Sequence, residues 1–269
     1  MRLSYKGDRM TNIVEEQLEA QKKNRAYALV TIVETQGATP RSIGSKMMVY
    51  GNGNIVGTIG GGVLEEQVIK DAMDILGKNQ KVLRTYENKA KSDISPCGGE
   101  ISVFIESYRS NTNLVVCGAG HVGAAVIQMA SMMNYHITVL DTRDTEITKK
   151  NVEAADRFEL ISDFYQGIKD TEIEEGSYIL VSTYGHEEDC EALAAVLDKK
   201  PAYIGMMGSP IKIRSIFRKL LERGFTQEQL DFIHTPVGLN IGGETPPEIA
   251  VSILSEIQAV RYDKDIQQK

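Results

Sequence analysis

The spacing of hydrophobic residues changes near residue 110 of the chain. Before it, short β-branched runs such as 26–34 and 101–107 lie between turn residues, and residues 63–76 keep their apolar side chains at helical spacing. After it, short apolar runs alternate with helical patterns; these runs are 113–117, 136–141, 178–183 and 201–208. This alternation is typical of a parallel sheet with helices on both faces.

The polar segment 107–113 separates the two patterns and is interpreted as a linker. We therefore expect two domains. Residues 1–110 form a small mixed α+β domain, and residues 111–269 form a Rossmann-like, doubly wound parallel-sheet domain. In the first domain, the turn residues "GNG" at 51–53 lie between two apolar runs and predict a hairpin.

Composition narrows the classes of partner. The 269 residues include 30 Lys and Arg and 37 Asp and Glu, a formal net charge of −7, which gives no general attraction to nucleic acid or anionic lipid. No apolar run approaches the roughly 20 residues of a membrane span, and no signal-peptide core is seen. The odd count of three cysteines argues against a disulfide framework. We expect a cytoplasmic protein with neither nucleic acid nor membrane as a partner.

A glycine motif follows the first strand of the second domain. Gly118, Gly120 and Gly123 form Gly-x-Gly-x-x-Gly between a predicted strand and a predicted helix, and Asp141 lies 18 residues after Gly123. Such glycines let the backbone approach a pyrophosphate at a helix N-terminus, and the acid can accept from a ribose hydroxyl. Arg143 can favour a 2′-phosphate, so both NAD and NADP stay open.

The acid–base group that a dehydrogenase needs beside its nicotinamide is not evident. None of the four histidines lies in a recognisable dehydrogenase motif, and the sequence has no Tyr-x-x-x-Lys. His121, inside the glycine motif, is either a group near phosphates or a metal, or a helix-start residue with a backbone partner. His186 follows a strand and can belong to a site. Glu187, Glu188 and Asp189 are interpreted as first-turn acids that interact favourably with the positive end of the helix dipole.

Two glycine-rich loops in the first domain predict anion binding. The first opens a helix, and its consecutive amides can form an anion cradle; tight strand-to-helix packing is the alternative. The second carries a thiol whose thiolate form the neighbouring amide dipoles would favour; a cysteine without a chemical role is the alternative. A nearby arginine can add a guanidinium for phosphate or carboxylate, or lie on the surface. The candidate residues are Arg41, Gly60, Gly61, Gly62, Cys97, Gly98 and Gly99.

These motifs occur together, in this order, in one known family. The N-terminal matches are "GATPRSIGSKMMV", "GTIGGGVLEEQV" and "CGGEISVFIE". The C-terminal matches are "VCGAGHVGAAV", "VLDTR", "YIGMMGS", "KIRSIFRKL" and "HTPVGLNIGGETPPEIAVSILSEI". Over nearly its whole length the sequence resembles the XdhC/CoxI family, the maturation factors of xanthine dehydrogenase and related molybdenum hydroxylases.

The resemblance implies an accessory protein and not an enzyme. It would bind molybdenum cofactor, a phosphate-bearing pyranopterin dithiolene that holds the metal, and protect it while a terminal sulfur ligand is installed. It would then deliver the cofactor to a hydroxylase apo-enzyme; that apo-enzyme and a cysteine desulfurase would be its partners. In these roles Gly60, Gly61 and Gly62 would hold phosphate, and Cys97 would contact molybdenum or carry sulfur. Further cofactor-binding residues would be Gly118, Gly120, His121, Gly123, Gly208, Ser209, Gly242, Gly243 and Glu244.

The sequence departs from the family pattern in two places. Pro210 and Ile211 replace a basic pair that is frequent after Gly-Ser, with Lys212 next, and Asn240 stands where Asp is frequent. The first departure weakens the case for a phosphate clamp, and the second weakens the case for a carboxylate role. An NAD(P)-dependent oxidoreductase and a nucleotide-binding sensor are the alternative functions. A homodimer is the expected assembly.

Overall fold

The computed structural model describes residues 12–87 and 99–264, and the chain divides into two compact units, Met1–Ser110 and Asn111–Lys269. Cys97 and Gly98, two of the predicted site residues, lie outside the described residues. Among the helices of the described part, none is long and apolar enough to cross a bilayer.

The described part of the first unit contains an antiparallel sheet with one helix on each face. Its strands are β1 (Tyr27–Gln36), β2 (Lys46–Tyr50), β3 (Ile55–Gly57), β4 (Lys81–Glu87) and β5 (Glu100–Tyr108), in the order β3-β2-β1-β5-β4. Its helices are α1 (Ile13–Lys22) and α2 (Gly62–Lys78). The predicted hairpin at 51–53 joins β2 to β3.

The alternation of side chains along β1 explains why both faces are covered, because successive residues of a strand point to opposite faces. Ala28 and Val30 belong to the apolar core that includes Val68 of α2. Tyr27 and Leu29 belong to a smaller core with Ala20 of α1. The two helices therefore lie on opposite faces of the sheet.

The described part of the second unit alternates strands and helices around a parallel sheet. The strands are β6 (Asn113–Cys117), β7 (His136–Asp141), β8 (Arg157–Leu160), β9 (Tyr178–Val181), β10 (Tyr203–Met206) and β11 (Ile233–His234). The helices are α3 (His121–Met132), α4 (Glu146–Asn151), α5 (Phe164–Asp170), α6 (His186–Val196), α7 (Pro210–Glu222), α8 (Gln227–Asp231) and α9 (Pro246–Arg261).

The strand order of this sheet is that of a dinucleotide-binding fold. It runs β11-β10-β9-β6-β7-β8; counted within the unit and read from β8, this is 3-2-1-4-5-6, the order of doubly wound Rossmann sheets. The order reverses between β6 and β9, and ligands of such sheets bind at this switch point, beyond the carboxyl ends of the strands. The fold class predicted from the sequence is confirmed.

Helices cover both faces of the parallel sheet, as its continuous apolar strands require. Val115 and Ile179 belong to a core shared with α5, α6 and α7. Leu114 and Leu180, one position away on the same strands, belong to a core shared with α3 and α9. Tight packing of α3 on α9 closes this second face, and Ile253 of α9 is fully buried there.

Replacing Ile253 by alanine should therefore lower the free energy of unfolding by about 2–5 kcal/mol, because it removes buried methylenes and leaves a cavity. Val251 lies on the same helix with 46% of its surface exposed, and Val251→Ala is the matched control with an expected change within about 0.5 kcal/mol. Urea unfolding of both variants checks this; equal effects would contradict the packing of α9.

Candidate functional site

A cleft of about 880 Å³ opens in the second unit, at the carboxyl ends of the parallel strands. Its walls come from the loops that follow β6, β7, β9, β10 and β11, together with α4 and the start of α9. The cleft therefore spans both halves of the sheet across the switch point, where this fold binds its ligands.

The three glycines of the motif have different roles in the structure. A Cβ on Gly118 would lie 2.4 Å from the carbonyl oxygen of Ser182, and one on Gly123 would lie 2.2 Å from the carbonyl oxygen of Gly118. These two glycines are required by close backbone packing. A Cβ on Gly120 meets nothing within 4 Å, and Gly120 lines the cleft. Only the second glycine is thus left open on the side where a ligand would approach.

Helix α3 begins at this open glycine. Gly120 is its N-cap and provides no side-chain cap, so the amides of the first turn lack that partner and carry the positive end of the helix dipole. His121, the first residue of the helix, is exposed and lines the cleft. The geometry places these groups where an anion binds in Rossmann folds.

The carboxylate at the end of β7 accepts hydrogen bonds from several groups of the same chain. Asp141 is 1% exposed; its Oδ2 accepts from the amide of Ala119 and from Nη2 of Arg143, each at 2.7 Å. Its Oδ1 accepts from the backbone amide of Arg143 at 2.9 Å and from Nε of Arg143 at 2.8 Å. A further bond, from Asn151 to the carbonyl of Ala119 at 2.8 Å, fixes the other side of the glycine loop.

These contacts change the protonation equilibria of the pair. Burial raises the pKa of Asp141, but the hydrogen bonds from Arg143 and Ala119 outweigh it, and the pKa lies below its ordinary value. The bond to Asp141 raises the pKa of Arg143. Both groups are therefore ionised at neutral pH, and the carboxylate pins the glycine loop to the end of β7.

The second half of the cleft contains a buried ion pair that sequence analysis missed. Asp189 is completely buried; its Oδ1 accepts from the amide of Thr183 at 3.1 Å and the hydroxyl of Thr183 at 2.5 Å, and its Oδ2 contacts Nζ of Lys212. Lys212 lines the cleft beside Gly208 and Ser209. Both members lie in the first turn of helices that follow neighbouring strands, a signal that was available in the sequence.

Glu187, Glu188 and Asp189 lie in the first turn of α6, as predicted. Glu187 is 91% exposed, whereas the carboxylate of Asp189 is buried and paired with a cation of the next helix, which the sequence interpretation did not include. His186 is exposed and is not among the residues that line the cleft. Ser209 is the N-cap of α7, and its hydroxyl accepts from the amide of Lys212 at 3.4 Å.

Three motifs of the first unit lie against each other. A Cβ on Gly60 would lie 2.4 Å from Cγ of Pro40, and a Cβ on Gly99 would lie 2.3 Å from the carbonyl oxygen of Ala38. The loop before β2 is therefore packed between both glycine-rich loops. Arg41, in the same loop, is exposed.

The glycine cradle of the first unit holds a carboxylate of the chain itself. Glu65, 4% exposed, accepts through Oε2 from the amides of Ile59 at 2.9 Å and Gly61 at 3.0 Å and from the hydroxyl of Thr58 at 2.5 Å. The amide of Gly60 donates to Thr58 at 3.1 Å. Two of the three amides expected to bind phosphate are thus already bonded, and a phosphate role for this loop stays a prediction.

The amides of the loop before α9 likewise bond to a carboxylate of the chain. Oε2 of Glu248 accepts from the amides of Glu244 at 3.0 Å and Thr245 at 2.9 Å and from the Thr245 hydroxyl at 2.7 Å. The backbone and hydroxyl bonds from Thr245 lower the pKa of Glu248. Gly242, Gly243 and Glu244 are not among the residues that line the cleft.

Cysteines and metal-type clusters add no further site in the described residues. Cys117 and Cys190 are buried in the apolar core. Burial, with a smaller contribution from Asp189, raises the pKa of Cys117 to about 12, so its thiol stays protonated. Residues 12–87 and 99–264 contain no group of three or more His, Cys, Asp or Glu side chains that could hold a metal ion.

Comparison with known families now identifies the two units. A family model described as the XdhC Rossmann domain matches residues 114–257. A second, described as the XdhC and CoxI family, matches residues 20–87. The chain belongs to the XdhC and CoxI family. The resemblance seen in the sequence motifs is confirmed.

Individual proteins are similar to this XdhC-family chain over most of its length. The uncharacterized protein YqeB of Escherichia coli (strain K12) is 34% identical over 253 residues, which are 93% of this chain and 46% of YqeB, so the chain spans about half the length of that relative. The molybdenum cofactor insertion chaperone PaoD of the same organism is 23% identical, over 92% of this chain and 87% of PaoD. A crystal structure described as a xanthine dehydrogenase from Bacillus halodurans matches 94% of this chain and 97% of its own with 20% identity and a TM-score of 0.48.

The different roles of the glycines in this XdhC-type loop predict different effects of substitution. Gly123→Ala should lower the free energy of unfolding by about 1–3 kcal/mol, because its Cβ would overlap the Gly118 carbonyl. Gly120→Ser, which adds atoms in open space and supplies a favourable N-cap, should be neutral or stabilising. Urea denaturation measures both; equal losses would contradict the assignment of Gly120 to the open side.

The Asp141 interactions predict a pH-dependent contribution to stability. The pKa of Asp141 is lower in the folded protein than the value of about 3.9 in an unfolded chain. Its contribution is therefore fully present above that value and is lost as the pH falls through the lower, folded pKa. The difference in unfolding free energy between the wild type and Asp141→Asn should be constant from pH 7 to about pH 5 and shrink below about pH 4. Unfolding titrations across this range test it; a difference that is independent of pH would refute the ion pair.

Proposed function

We propose that this chain binds molybdenum cofactor as a cargo and takes part in the maturation of a molybdenum hydroxylase. It would protect the cofactor during sulfuration and then deliver it to the apo-enzyme. Membership of the XdhC and CoxI family supports this proposal, as does the similarity to PaoD, which is named as a molybdenum cofactor insertion chaperone. The observation that carries it is the cleft at the switch point, with its open glycine and helix N-terminus.

The residues of the cleft fit a phosphate-bearing, polar ligand. First-turn amides of α3, the guanidinium of Arg143 and the ammonium of Lys212 are the donors at its walls. Phosphate oxygens accept from donors of these kinds. The dithiolene of the cargo already holds its metal, so the absence of a metal-binding cluster from the described residues is compatible with this role.

The same cleft offers little support for hydride transfer. An oxidoreductase needs an acid–base group that can exchange a proton beside the nicotinamide. Lys212 is mostly buried and in contact with the carboxylate of Asp189, and Asp141 is bonded to Arg143. His121 is exposed in the cleft but lies at the start of α3, the position at which this fold binds phosphate and not the nicotinamide. We therefore propose the chaperone function first. An NAD(P)-dependent oxidoreductase and a nucleotide sensor remain alternative functions, because the strand order is that of a dinucleotide-binding fold.

The partners follow from the proposed role. Sulfuration requires a sulfur donor, for which we propose a cysteine desulfurase, and delivery requires the apo-hydroxylase. Cys97, which lies outside the described residues, is proposed to contact molybdenum or carry sulfur. Cys97→Ala should then impair delivery of active cofactor to the apo-enzyme, and unchanged binding and delivery would refute the role of the thiol.

Cofactor binding at the glycine loop can be tested with a pair of variants that match in size and differ in charge. Asp and Asn at position 120 are both good N-caps and are nearly isosteric, but only Asp places a negative charge where the phosphate would lie. Retention of the cofactor should fall in the order wild type, Gly120→Asn, Gly120→Asp, with a difference of about tenfold or more between the two variants, the effect of about 1.4 kcal/mol.

Anaerobic gel filtration measures this retention, with molybdenum analysis and pterin fluorescence on the same fractions. NADH and NADPH are run in parallel on the same proteins. Tight nucleotide binding with turnover, and no retained pterin, would reject the chaperone function in favour of the oxidoreductase. Equal retention by Gly120→Asn and Gly120→Asp would reject the glycine loop as the phosphate position.

A further inference from the structure

We propose that Arg143, held by Asp141, makes the cleft select phosphomonoesters and reject ligands that present a free ribose diol. This is a specificity rule for the cleft itself. Its application to the phosphate of molybdenum cofactor rests on the proposed function, whereas the selectivity between simple probes does not.

The position of Asp141 gives the first step. In a dinucleotide-binding fold, an acid about 20 residues beyond the glycine motif, at the end of the second strand, accepts from the ribose hydroxyls. Strand β7 is the second strand of this unit, next to β6 in the parallel sheet, and Asp141 is its last residue. Asp141 therefore occupies the position that recognises the ribose of NAD in this fold.

The hydrogen bonds of Asp141 give the second step. An ionised carboxylate has about four positions at which it accepts hydrogen bonds, and four donors of the chain fill them: the amide of Ala119, and the amide, Nε and Nη2 of Arg143. A ribose hydroxyl could bond to this carboxylate only by displacing one of them. Displacing the guanidinium would leave a buried anion without its counter-ion, which is strongly unfavourable.

One edge of the Arg143 guanidinium remains available for a ligand. A guanidinium carries five N–H donors in a planar fork, and only those on Nε and one on Nη2 are directed at Asp141. The side chain is 35% exposed and lines the cleft. The remaining N–H groups are therefore available for phosphate oxygens while the bidentate pair stays intact.

The ring of Tyr184 lies beside this edge. The guanidinium carbon of Arg143 is 5.9 Å from the ring centroid of Tyr184, which is 86% exposed and also lines the cleft. A planar ring system next to the phosphate could stack on this tyrosine. The ligand class is thus a phosphomonoester attached to a polar, ring-containing molecule, which describes both a phosphorylated pterin and a 2′-phosphorylated nucleotide.

Two adenosine probes test the rule on the full-length protein. Adenosine 2′,5′-bisphosphate and adenosine 5′-monophosphate differ only in the 2′-phosphomonoester. By titration calorimetry, the wild type should bind the bisphosphate at least about tenfold more tightly, the effect of a single charge-assisted hydrogen bond. Equal affinity, a preference for the monophosphate, or no binding of either probe at millimolar concentration would overturn the proposal.

Variants of Arg143 assign the preference to this side chain. Arg143→Gln should abolish it, because the amide keeps a donor for Asp141 but loses the charge and the fork. Arg143→Lys should keep part of it, since lysine binds phosphate as a point charge. Arg218→Gln, which changes an exposed arginine of α7 outside the cleft lining, is the control. Unfolding midpoints identify any variant that fails to fold; a folded Arg143→Gln with the wild-type preference would refute the assignment.

A final arm distinguishes the two sources of the phosphate. If the cargo places its phosphate on Arg143, cofactor-loaded protein should not bind the bisphosphate, and Arg143→Gln should also retain less cofactor. If loaded protein binds the probe as well as the unloaded protein does, the edge belongs to a nucleotide phosphate, and the selectivity still stands. Failure of all cofactor binding with intact probe selectivity would reject the proposed function alone.

Discussion

The second unit depends on one contact, the approach of the backbone after β9 to the glycine loop after β6. The carbonyl of Ser182 occupies the space of a side chain at Gly118, and the Gly118 carbonyl occupies that of a side chain at Gly123. β6 and β9 pair directly in the sheet, and because any side chain at Gly118 or Gly123 would separate the loops that follow these strands, the loops can come together only at glycines. The same contact brings the start of α3 to the switch point, so the packing that joins the halves also creates the cleft.

Internal carboxylates organise the loops that the sequence suggested for anions. Glu65 accepts the amides of Ile59 and Gly61, and Asp141 accepts the amide of Ala119. Each acid gives amides of its loop a fixed partner, which backbone groups in buried loops require. The amides that bond to these carboxylates hold the shape of their loops. The amides at the start of α3 differ from them, because the N-cap there is a glycine without a side-chain acceptor.

Sequence reasoning located the parallel sheet and the glycine motif because both depend on local patterns, namely strand–helix alternation and the spacing of small residues. It did not predict α4, β8 or α5, where the apolar residues are few and the elements short. It also missed the burial of Asp189, because the pairing with Lys212 becomes evident only when the first turns of the helices after neighbouring strands are compared. The saturation of Asp141 escaped it for a similar reason: the motif shows that an acid is present but not how many donors surround it.

The bonding of Arg143 to Asp141 affects the affinity of the cleft for an anion. The positive charge of the guanidinium is already compensated before any ligand arrives, so an incoming anion gains local hydrogen bonds but little long-range attraction. The pair of Lys212 and Asp189 has the same character. Release of a bound anion from such a site leaves no uncompensated charge behind. An enzyme that keeps its prosthetic group for life would be poorly served by this arrangement, whereas a protein that must give up its load is well served by it.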